Sequence, residues 1–232
     1  MEIARAPQLL DNMMAAAVLC LLAPSAVADL RARDVRVEFA QSPVVGVAVP
    51  RPRFSWALEH APGGVQRRRG ESQACSRVTV TPKGAARPAW DSGAVPGNTT
   101  SVPCGADLAS DTDYELVVAT SSSSRGCADL QNGTRASFST ALMDDSEWAG
   151  SRWLTLGAND TRNQFRANLQ LPAGANTAQG RCYIAGLGYH RSWLNGQRLA
   201  HHADDTLGPF VQFQRRTPYD SFDVTASLRP GN

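Results

Sequence analysis

From Asp29 onward the sequence falls into short runs rich in β-branched or aromatic residues, separated by clusters of Gly, Pro, Asn or Ser. The runs before residue 142 are 35–39, 53–58, 77–81, 114–119 and 136–140. No stretch after Asp29 repeats apolar residues at intervals of three and four over the roughly 11 residues that an amphipathic helix needs. The pattern therefore predicts an all-β protein, in which many short, closely spaced strands form a sandwich.

Residues 108–114, LASDTDY, have the form of a tyrosine corner. In this motif a Tyr at the start of a late strand forms a hydrogen bond with backbone a few residues upstream. We expect the Tyr114 hydroxyl to bond with the segment that follows Leu108, and Leu108 to fill the core below it. The motif predicts that residues 29–142 form one fibronectin type III-like domain.

A second set of extended runs begins near Trp148. It comprises residues 152–156, 163–171, 181–187, 189–194 and 219–224. A jelly roll needs about eight strands in two sheets, which is more than these runs supply. The last residues, Arg229-Pro230-Gly231-Asn232, form a turn signal that would lead into another strand. We therefore expect residues 143–232 to form the N-terminal part of a jelly-roll β-sandwich that is incomplete.

Asn195-Gly196 is the strongest hairpin signal in the chain. A two-residue Asn-Gly loop adopts positive φ at both central positions, and its twist matches that of the flanking strands. We interpret the pair as the bend of a hairpin, because a side chain at a tight turn normally bonds with its own backbone. The alternative is that Asn195 contacts a ligand.

The first 28 residues have the features of a signal peptide. Residues 13–23 form an apolar stretch too short to span a bilayer, and Ala26-Val27-Ala28 has the small-x-small form of a cleavage site. The acidic balance before residue 13 is unusual, and translation from Met13 or Met14 would remove it. The alternative, a buried N-terminal helix, fits Pro24 less well. The sequence predicts a secreted or extracytoplasmic protein with no membrane attachment after removal of residues 1–28.

Export would leave four cysteines, Cys75, Cys104, Cys127 and Cys182, none of them in a C-x-x-C zinc pattern. Two disulfides are compatible with this number, in three connectivities. Because the first three share the predicted first domain, we favour a pairing among them, with Cys182 free or bonded elsewhere. The alternative is that all four are buried, reduced thiols.

Three Asn residues fit the N-glycosylation acceptor pattern: Asn98, Asn132 and Asn159. Such sites are surface loops in secreted proteins. They are relevant only if the protein comes from a eukaryote.

The charge balance argues against nucleic acid or an anionic membrane as a partner. The formal net charge is only +2, whereas such binding needs a concentrated basic field. The one basic run, Arg67-Arg68-Arg69, lies among glycines and is interpreted as a solvated loop.

Polar clusters do not indicate a catalytic or metal site. Asp144-Asp145 with Glu147, and Asp204-Asp205, lie in apparent linkers or loops and are interpreted as solvated surface. His201-His202 beside Asp204-Asp205 could form a metal site, but adjacent residues on an extended chain point to opposite faces and rarely share an ion. We therefore assign no catalytic, metal-binding or cofactor-binding residue, and no cofactor.

Tryptophans are interpreted as core residues. We expect Trp56 and Trp90 in or against the first core, and Trp153 and Trp193 in or against the second. The alternative is that Tyr189 or Trp193 forms a stacking platform for a sugar ring, but aromatic residues in strands mostly serve packing.

An ordered set of short motifs runs through nearly the whole chain after residue 28. It consists of Pro52-Arg53-Phe54-Ser55-Trp56, Gln73, Trp90-Asp91-Ser92-Gly93, Tyr114, Phe138-Ser139-Thr140, Trp148, Trp153, Gly186-Leu187-Gly188-Tyr189, Leu194-Asn195-Gly196, Leu207-Gly208-Pro209, Tyr219 and Phe222-Asp223-Val224-Thr225. Each motif alone is weak, but the ordered set resembles the N-terminal part of the bacterial-type α-L-rhamnosidases.

This resemblance implies a fibronectin-like domain and a jelly-roll domain, which in that family precede a large barrel of helical hairpins that hydrolyses terminal α-L-rhamnose with inversion. Inversion needs two carboxyl groups about 6.5–9.5 Å apart, and in the family both belong to the barrel. The present sequence lacks the barrel, and it has Ala200-His201-His202 where the family favours Gly-Asp. We expect a non-catalytic, accessory N-terminal portion of an α-L-rhamnosidase-like glycoside hydrolase, inactive alone.

Three hypotheses about function remain after these observations. In the first, the gene product is a glycosidase whose partner is a downstream catalytic domain, and this chain is a truncated or degraded form. In the second, the short form is a module that binds rhamnose-containing glycans. In the third, it is an adhesion or spacer protein that uses two β-sandwiches, because a shared fold does not fix a function.

Overall fold

The computed structural model describes residues 30–60, 70–122, 126–128, 130, 133–155, 164–175, 177–201, 215 and 217–229. Their first part contains ten strands: β1 (Leu30–Val37), β2 (Ala40–Gln41), β3 (Val44–Val47), β4 (Arg53–His60), β5 (Gln73–Pro82), β6 (Trp90–Asp91), β7 (Val95–Pro96), β8 (Ser101–Pro103), β9 (Asp113–Ser122) and β10 (Thr134–Thr140). Their second part contains four: β11 (Arg181–Ala185), β12 (Ser192–Leu194), β13 (Gln197–Leu199) and β14 (Tyr219–Asp223). The 3₁₀ turns Asp145–Trp148 and Thr225–Ser227 are the helical elements of the described residues, which confirms the all-β prediction.

The first ten strands form a sandwich of two sheets. One sheet has the order β2-β1-β4-β8, and the other has the order β3-β10-β9-β5-β6, with β7 also paired to β5. The pairs are antiparallel except for β3, which runs parallel to β10. We call this unit the first sandwich.

A single apolar core fills the space between the two sheets. Phe54 is fully buried at its centre, with its ring centroid 5.7 Å from that of Phe138 and 6.1 Å from that of Trp90. Trp56 is 5% exposed, and Trp90 packs against the same cluster. The predicted positions of these two tryptophans in or against the first core are therefore confirmed.

A β-bulge in β1 explains why the sequence alone predicts too short a strand there. Leu30 and Ala32 face the core, and strict alternation would then turn Val35 outward. The register shifts between Arg33 and Arg36, and Asp34 adopts a φ of 50°. The extra residue returns Val35 and Val37 to the core.

The tyrosine corner has the predicted geometry. The backbone N–H of Ala109 donates to the Tyr114 hydroxyl at 2.9 Å, and Leu108 is 4% exposed. The Tyr114 ring stacks on Phe138 with a centroid distance of 5.3 Å. The corner thus fixes the loop 108–113 at the end of the first sandwich, where Asp111 and Asp113 are presented to the second part of the chain.

The second part is less regular than the sequence suggests. The described strands form a β11–β14 ribbon and a β12–β13 hairpin. Residues 152–155 and 164–171, which we expected to be extended strands, pair with no strand in the part of the chain that the structure describes. An apolar run becomes a strand only when a neighbouring strand satisfies its backbone N–H and C=O groups.

The β11–β14 ribbon lies against one end of the first sandwich. Arg181 and Tyr183 of β11 contact the loop that contains Asp111 and Asp113, and β14 contacts β3. No helix in the described residues combines the length and the apolar character needed to cross a membrane. The predicted signal peptide, residues 1–28, and the basic run Arg67-Arg68-Arg69 lie outside the described residues.

Candidate functional site

A wide, open depression on the second part of the chain is lined by Trp153, Tyr189 and Trp193. Their exposed fractions are 66%, 64% and 56%. The prediction that Trp153 and Trp193 lie in or against a second core is therefore wrong. Strand alternation places Trp193 on the face opposite Ser192 and Leu194, and no strand of the described residues covers that face.

The loop between β11 and β12 positions Tyr189. The Nε2 atom of His190 lies 3.3 Å from the Asp220 carboxylate on β14, so the loop is anchored to the ribbon beside Tyr189. Gly186 allows close packing there, because a Cβ atom would lie 2.5 Å from Nδ1 of His190 and 3.1 Å from the Gly188 carbonyl oxygen. The anchored histidine leaves the neighbouring Tyr189 ring in solvent.

The Asn195-Gly196 turn joins β12 to β13 as predicted. Asn195 and Gly196 have φ values of 51° and 78°, the positive values that this hairpin turn needs. We expected the Asn195 side chain to bond with its own backbone. Instead, its Nδ2 atom donates to the Ser227 carbonyl at 2.8 Å. It therefore links the hairpin to the 3₁₀ turn after β14.

The depression is too large to enclose a small ligand, so it is an open surface rather than a pocket. Its volume of 2120 Å³ exceeds the roughly 300–1,000 Å³ of sites that enclose a small ligand. Among the described residues that line it, the charged ones are the arginines Arg152, Arg166, Arg191 and Arg229 and one carboxylate, that of Asp145. An extended polar ligand fits this surface better than a small enclosed one.

The acidic cluster at residues 144–147 caps a turn. The Asp144 carboxylate accepts from the Ser146 N–H at 2.8 Å, and the Glu147 carboxylate accepts from the N–H groups of Met143 and Asp144 at 2.8 and 2.9 Å. This reciprocal arrangement is a capping box. Both carboxylates thus serve the local backbone.

The pKa shifts of Asp144 and Glu147 are opposite to the shift that a general acid needs. Hydrogen bonding to Ser146 lowers the pKa of Asp144, and hydrogen bonding to Ser110 lowers the pKa of Glu147. A carboxyl group that protonates a glycosidic oxygen needs a raised pKa. Neither group is suited to that role.

In the first sandwich, two carboxyl groups have a lowered pKa because each is paired with an arginine. The Arg77 guanidinium lowers the pKa of Asp91, and the Arg51 guanidinium lowers the pKa of Asp107. These carboxylates belong to surface ion pairs with N–O distances of 2.5 and 2.6 Å. They are structural.

The residues considered as metal ligands are only partly described. His202, Asp204 and Asp205 lie outside the described residues. His201 stacks on Phe222 with a ring centroid distance of 4.8 Å, and its Nε2 atom lies 3.7 Å from Asp220. Within the described ranges, no group of three or more His, Cys, Asp or Glu residues is arranged to hold a metal ion.

Cys75 and Cys127 form a disulfide, which joins β5 to the turn after β9. Cys104 is buried and Cys182 is half-buried, and both are free. Burial raises the pKa of each free thiol, which disfavours the reactive thiolate. Of the three predicted glycosylation sites, Asn98 is exposed in the loop between β7 and β8, and Asn132 and Asn159 lie outside the described residues.

Two family descriptions match the chain in succession. Residues 32–144 match the "Rha78A-like, N-terminal immunoglobulin domain", and residues 175–232 match the "Alpha-L-rhamnosidase N-terminal domain". The first match corresponds to the first sandwich. The second contains the β11–β14 ribbon and the β12–β13 hairpin.

Curated relatives match over part of the chain. An α-L-rhamnosidase of Formosa agariphila is 28% identical over 119 residues, which are 40% of this chain and 12% of the relative. An α-L-rhamnosidase of Streptomyces avermitilis is 32% identical over 90 residues, which are 36% of this chain and 8% of the relative. The matched region is thus a small share of each relative's length.

Solved structures show the same fold. The α-L-rhamnosidase of Dictyoglumus thermophilum superposes with a TM-score of 0.69 at 23% identity, over 87% of this chain and 24% of that one. The enzyme of Aspergillus terreus superposes with a TM-score of 0.59 at 20% identity, over 87% and 23% of the two chains. The chain thus matches, in succession, the two N-terminal domains of the α-L-rhamnosidases.

Proposed function

We propose that this chain is the accessory, non-catalytic portion of an α-L-rhamnosidase-like glycoside hydrolase that acts on terminal α-L-rhamnose of glycans or glycosides. The observation that carries the proposal is the succession of two N-terminal domain matches, at residues 32–144 and 175–232. The capping role and lowered pKa values of Asp144 and Glu147 support it. The partner implied is a catalytic domain of the kind that follows these domains in the family.

An activity assay tests the non-catalytic part of this proposal. The purified 232-residue chain is expected to release no chromophore from a chromogenic α-L-rhamnoside, with an active α-L-rhamnosidase as the positive control. Turnover that survives purification and is lost in Asp145→Asn or Asp204→Asn would contradict it.

A second candidate function is a carbohydrate-binding module, and the exposure of Trp193 and Tyr189 favours it. Aromatic rings that face solvent on an open surface can stack on sugar rings, because the ring face is apolar while its surroundings stay polar. The ligand would be a rhamnose-containing glycan that lies along the depression.

Calorimetry with rhamnose-containing oligosaccharides tests the module. Binding is expected to be lost in Trp193→Ala and retained in Phe39→Ala, since Phe39 is 72% exposed on the first sandwich and does not line the depression. Equal binding by both variants, or none by the unmodified protein, would rule the module out for these ligands.

Export of the protein is supported by its sequence and its disulfide. Residues 13–28 have the order of a signal peptide, and the Cys75–Cys127 bond is typical of proteins in oxidising compartments. N-terminal sequencing of protein recovered outside the cytoplasm should begin at Asp29. A mature protein that retains residues 13–28 would contradict cleavage at this position.

A further inference from the structure

The β11–β14 ribbon is too small to be stable by itself. It pairs five residues of each strand, and a two-stranded ribbon is marginal in water without a sheet or core behind it. Its register places Arg181, Tyr183, Ser221 and Tyr219 on one face, because directly paired residues lie on the same side of a sheet. This face packs against the first sandwich.

Arg181 carries a buried positive charge whose ion pairs, among the described residues, are with Asp111 and Asp113 of the first sandwich. Asp223, which is paired opposite Arg181 in β14, adds a third carboxylate from within the ribbon. The Arg181 side chain is 6% exposed, its Nη2 atom donates to Asp113, and its Nε atom lies 3.3 Å from Asp111. Its Nε and Nη1 atoms are buried with no hydrogen-bond partner in the described part of the chain. Because an unpaired buried charge is strongly destabilising, the ribbon depends on the carboxylates of Asp111 and Asp113.

Two tyrosines extend the same contact. The Tyr183 hydroxyl donates to Asp111 at 2.6 Å, and the Tyr219 hydroxyl donates to the Leu142 carbonyl at 2.5 Å. Both rings pack edge-on against Trp148, at centroid distances of 6.4 and 5.1 Å. Burial raises the pKa of both hydroxyls, which keeps them protonated as donors.

Gly46 of β3 allows a close approach between the two parts. A Cβ atom at Gly46 would lie 1.6 Å from Oγ and 2.8 Å from Cβ of Ser221, which is 5% exposed. Gly46 also has a φ of 80°, a value that other residues rarely adopt. The edge of the first sandwich is thus shaped to receive β14.

The dependence between the two parts is unequal. All members of the buried apolar cluster of the first sandwich lie between Ala32 and Phe138. That core contains no residue of the ribbon, whereas Arg181 and the two tyrosines of the ribbon are buried by contact with the sandwich and with the segment from Leu142 to Trp148 that follows it.

We propose that the edge formed by Gly46, Asp111, Asp113 and Leu142 is an intramolecular docking surface on which the β11–β14 ribbon folds, so that the ribbon requires the sandwich and the sandwich does not require the ribbon. The tyrosine corner, which fixes Asp111 and Asp113, then has a second role. It prepares the site that receives Arg181.

Hydrogen exchange of the full chain tests this one-way dependence. In Arg181→Met, the protection factors of the Cys182 and Phe222 amides, which face each other as a pair in the ribbon, should fall at least tenfold, while those of Leu116 and Val118 in β9 stay unchanged. Arg135→Met is the matched control, because Arg135 pairs with Glu115 on the exposed side of the sandwich, with 77% of its side chain exposed. Gly46→Ala is a second variant that blocks docking by shape and should reproduce the effect of Arg181→Met.

The reverse perturbation completes the test. Leu116→Ala in the core of the sandwich should reduce protection in both β9 and the ribbon. Unchanged ribbon protection in both Arg181→Met and Gly46→Ala would overturn the proposal. So would loss of β9 protection in Arg181→Met, which would show that the two parts unfold as one unit, or intact ribbon protection in Leu116→Ala.

Discussion

Trp56 and Trp153 both lie in runs that the sequence marks as strands, yet their surroundings differ. Trp56 is 5% exposed, and its Nε1 atom donates to Oε1 of Gln73 at 2.9 Å. Trp153 is 66% exposed and lies outside any described strand. An aromatic residue in an apolar run predicts burial only if an opposing sheet exists, and local sequence does not report that sheet.

Alanine substitution of the two tryptophans should have different effects on the free energy of unfolding. Trp56→Ala is expected to lower the free energy of unfolding by about 3–5 kcal/mol, because it leaves a cavity between the sheets and removes the partner of Gln73. Trp153→Ala is expected to change it by no more than about 0.5 kcal/mol, as for an exposed residue. Urea unfolding of both variants checks this, and comparable losses would show that Trp153 is buried in solution.

At the level of strands, the sequence predicts best where a turn has specific chemistry. The Asn195-Gly196 hairpin and the tyrosine corner of Tyr114 were both predicted and both confirmed. The short strands β2, β3, β6, β7 and β8 were missed, because two to four residues carry too little alternation to indicate a strand. The bulge at Asp34 was missed because only the paired strand β4 defines its register.

The hairpin turn offers a test that separates conformation from contact. Asn195→Gly retains a residue suited to positive φ but removes the donor to Ser227, so it should cost about 0.5–1.5 kcal/mol. Gly196→Val should cost about 1–3 kcal/mol, because a β-branched residue is strained at a φ of 78°, although a Cβ atom there meets no neighbour within 4 Å. Exchange of the Leu194 and Gln197 amides reports both losses. A greater loss in Asn195→Gly would mean that the contact with Ser227 matters more than the turn.

On the scale of the whole molecule, the disulfide reinforces the part that is already best packed. Cys75 lies fully buried in β5, and its bond to Cys127 closes a loop with a sequence separation of 52. The sequence favoured a disulfide among the three cysteines of the first domain. It did not show which two of them pair, because spacing does not determine connectivity.

Loss of this bond should weaken the first sandwich. Restriction of the unfolded chain by a loop of this length is worth about 4 kcal/mol in the chain-entropy account, and measured values are typically about 2–4. The denaturation midpoint of the full chain should therefore fall on reduction. The double variant Cys75→Ser/Cys127→Ser should show the lower midpoint without reductant and no further change with it. An unchanged midpoint after reduction of the unmodified protein would show that the bond is not formed in solution.

The two parts of the molecule should also differ in their resistance to protease. The first sandwich closes its core between two sheets, whereas the second part exposes Trp153, Leu154, Phe165 and Leu187 beside the β11–β14 ribbon and the β12–β13 hairpin. Local opening is easiest where few apolar contacts are buried, so limited proteolysis should cut first after Trp148. Mass spectrometry should then show a resistant fragment that ends between Leu142 and Trp148. Equal resistance of both parts would show that the second part is as well packed in solution as the first sandwich.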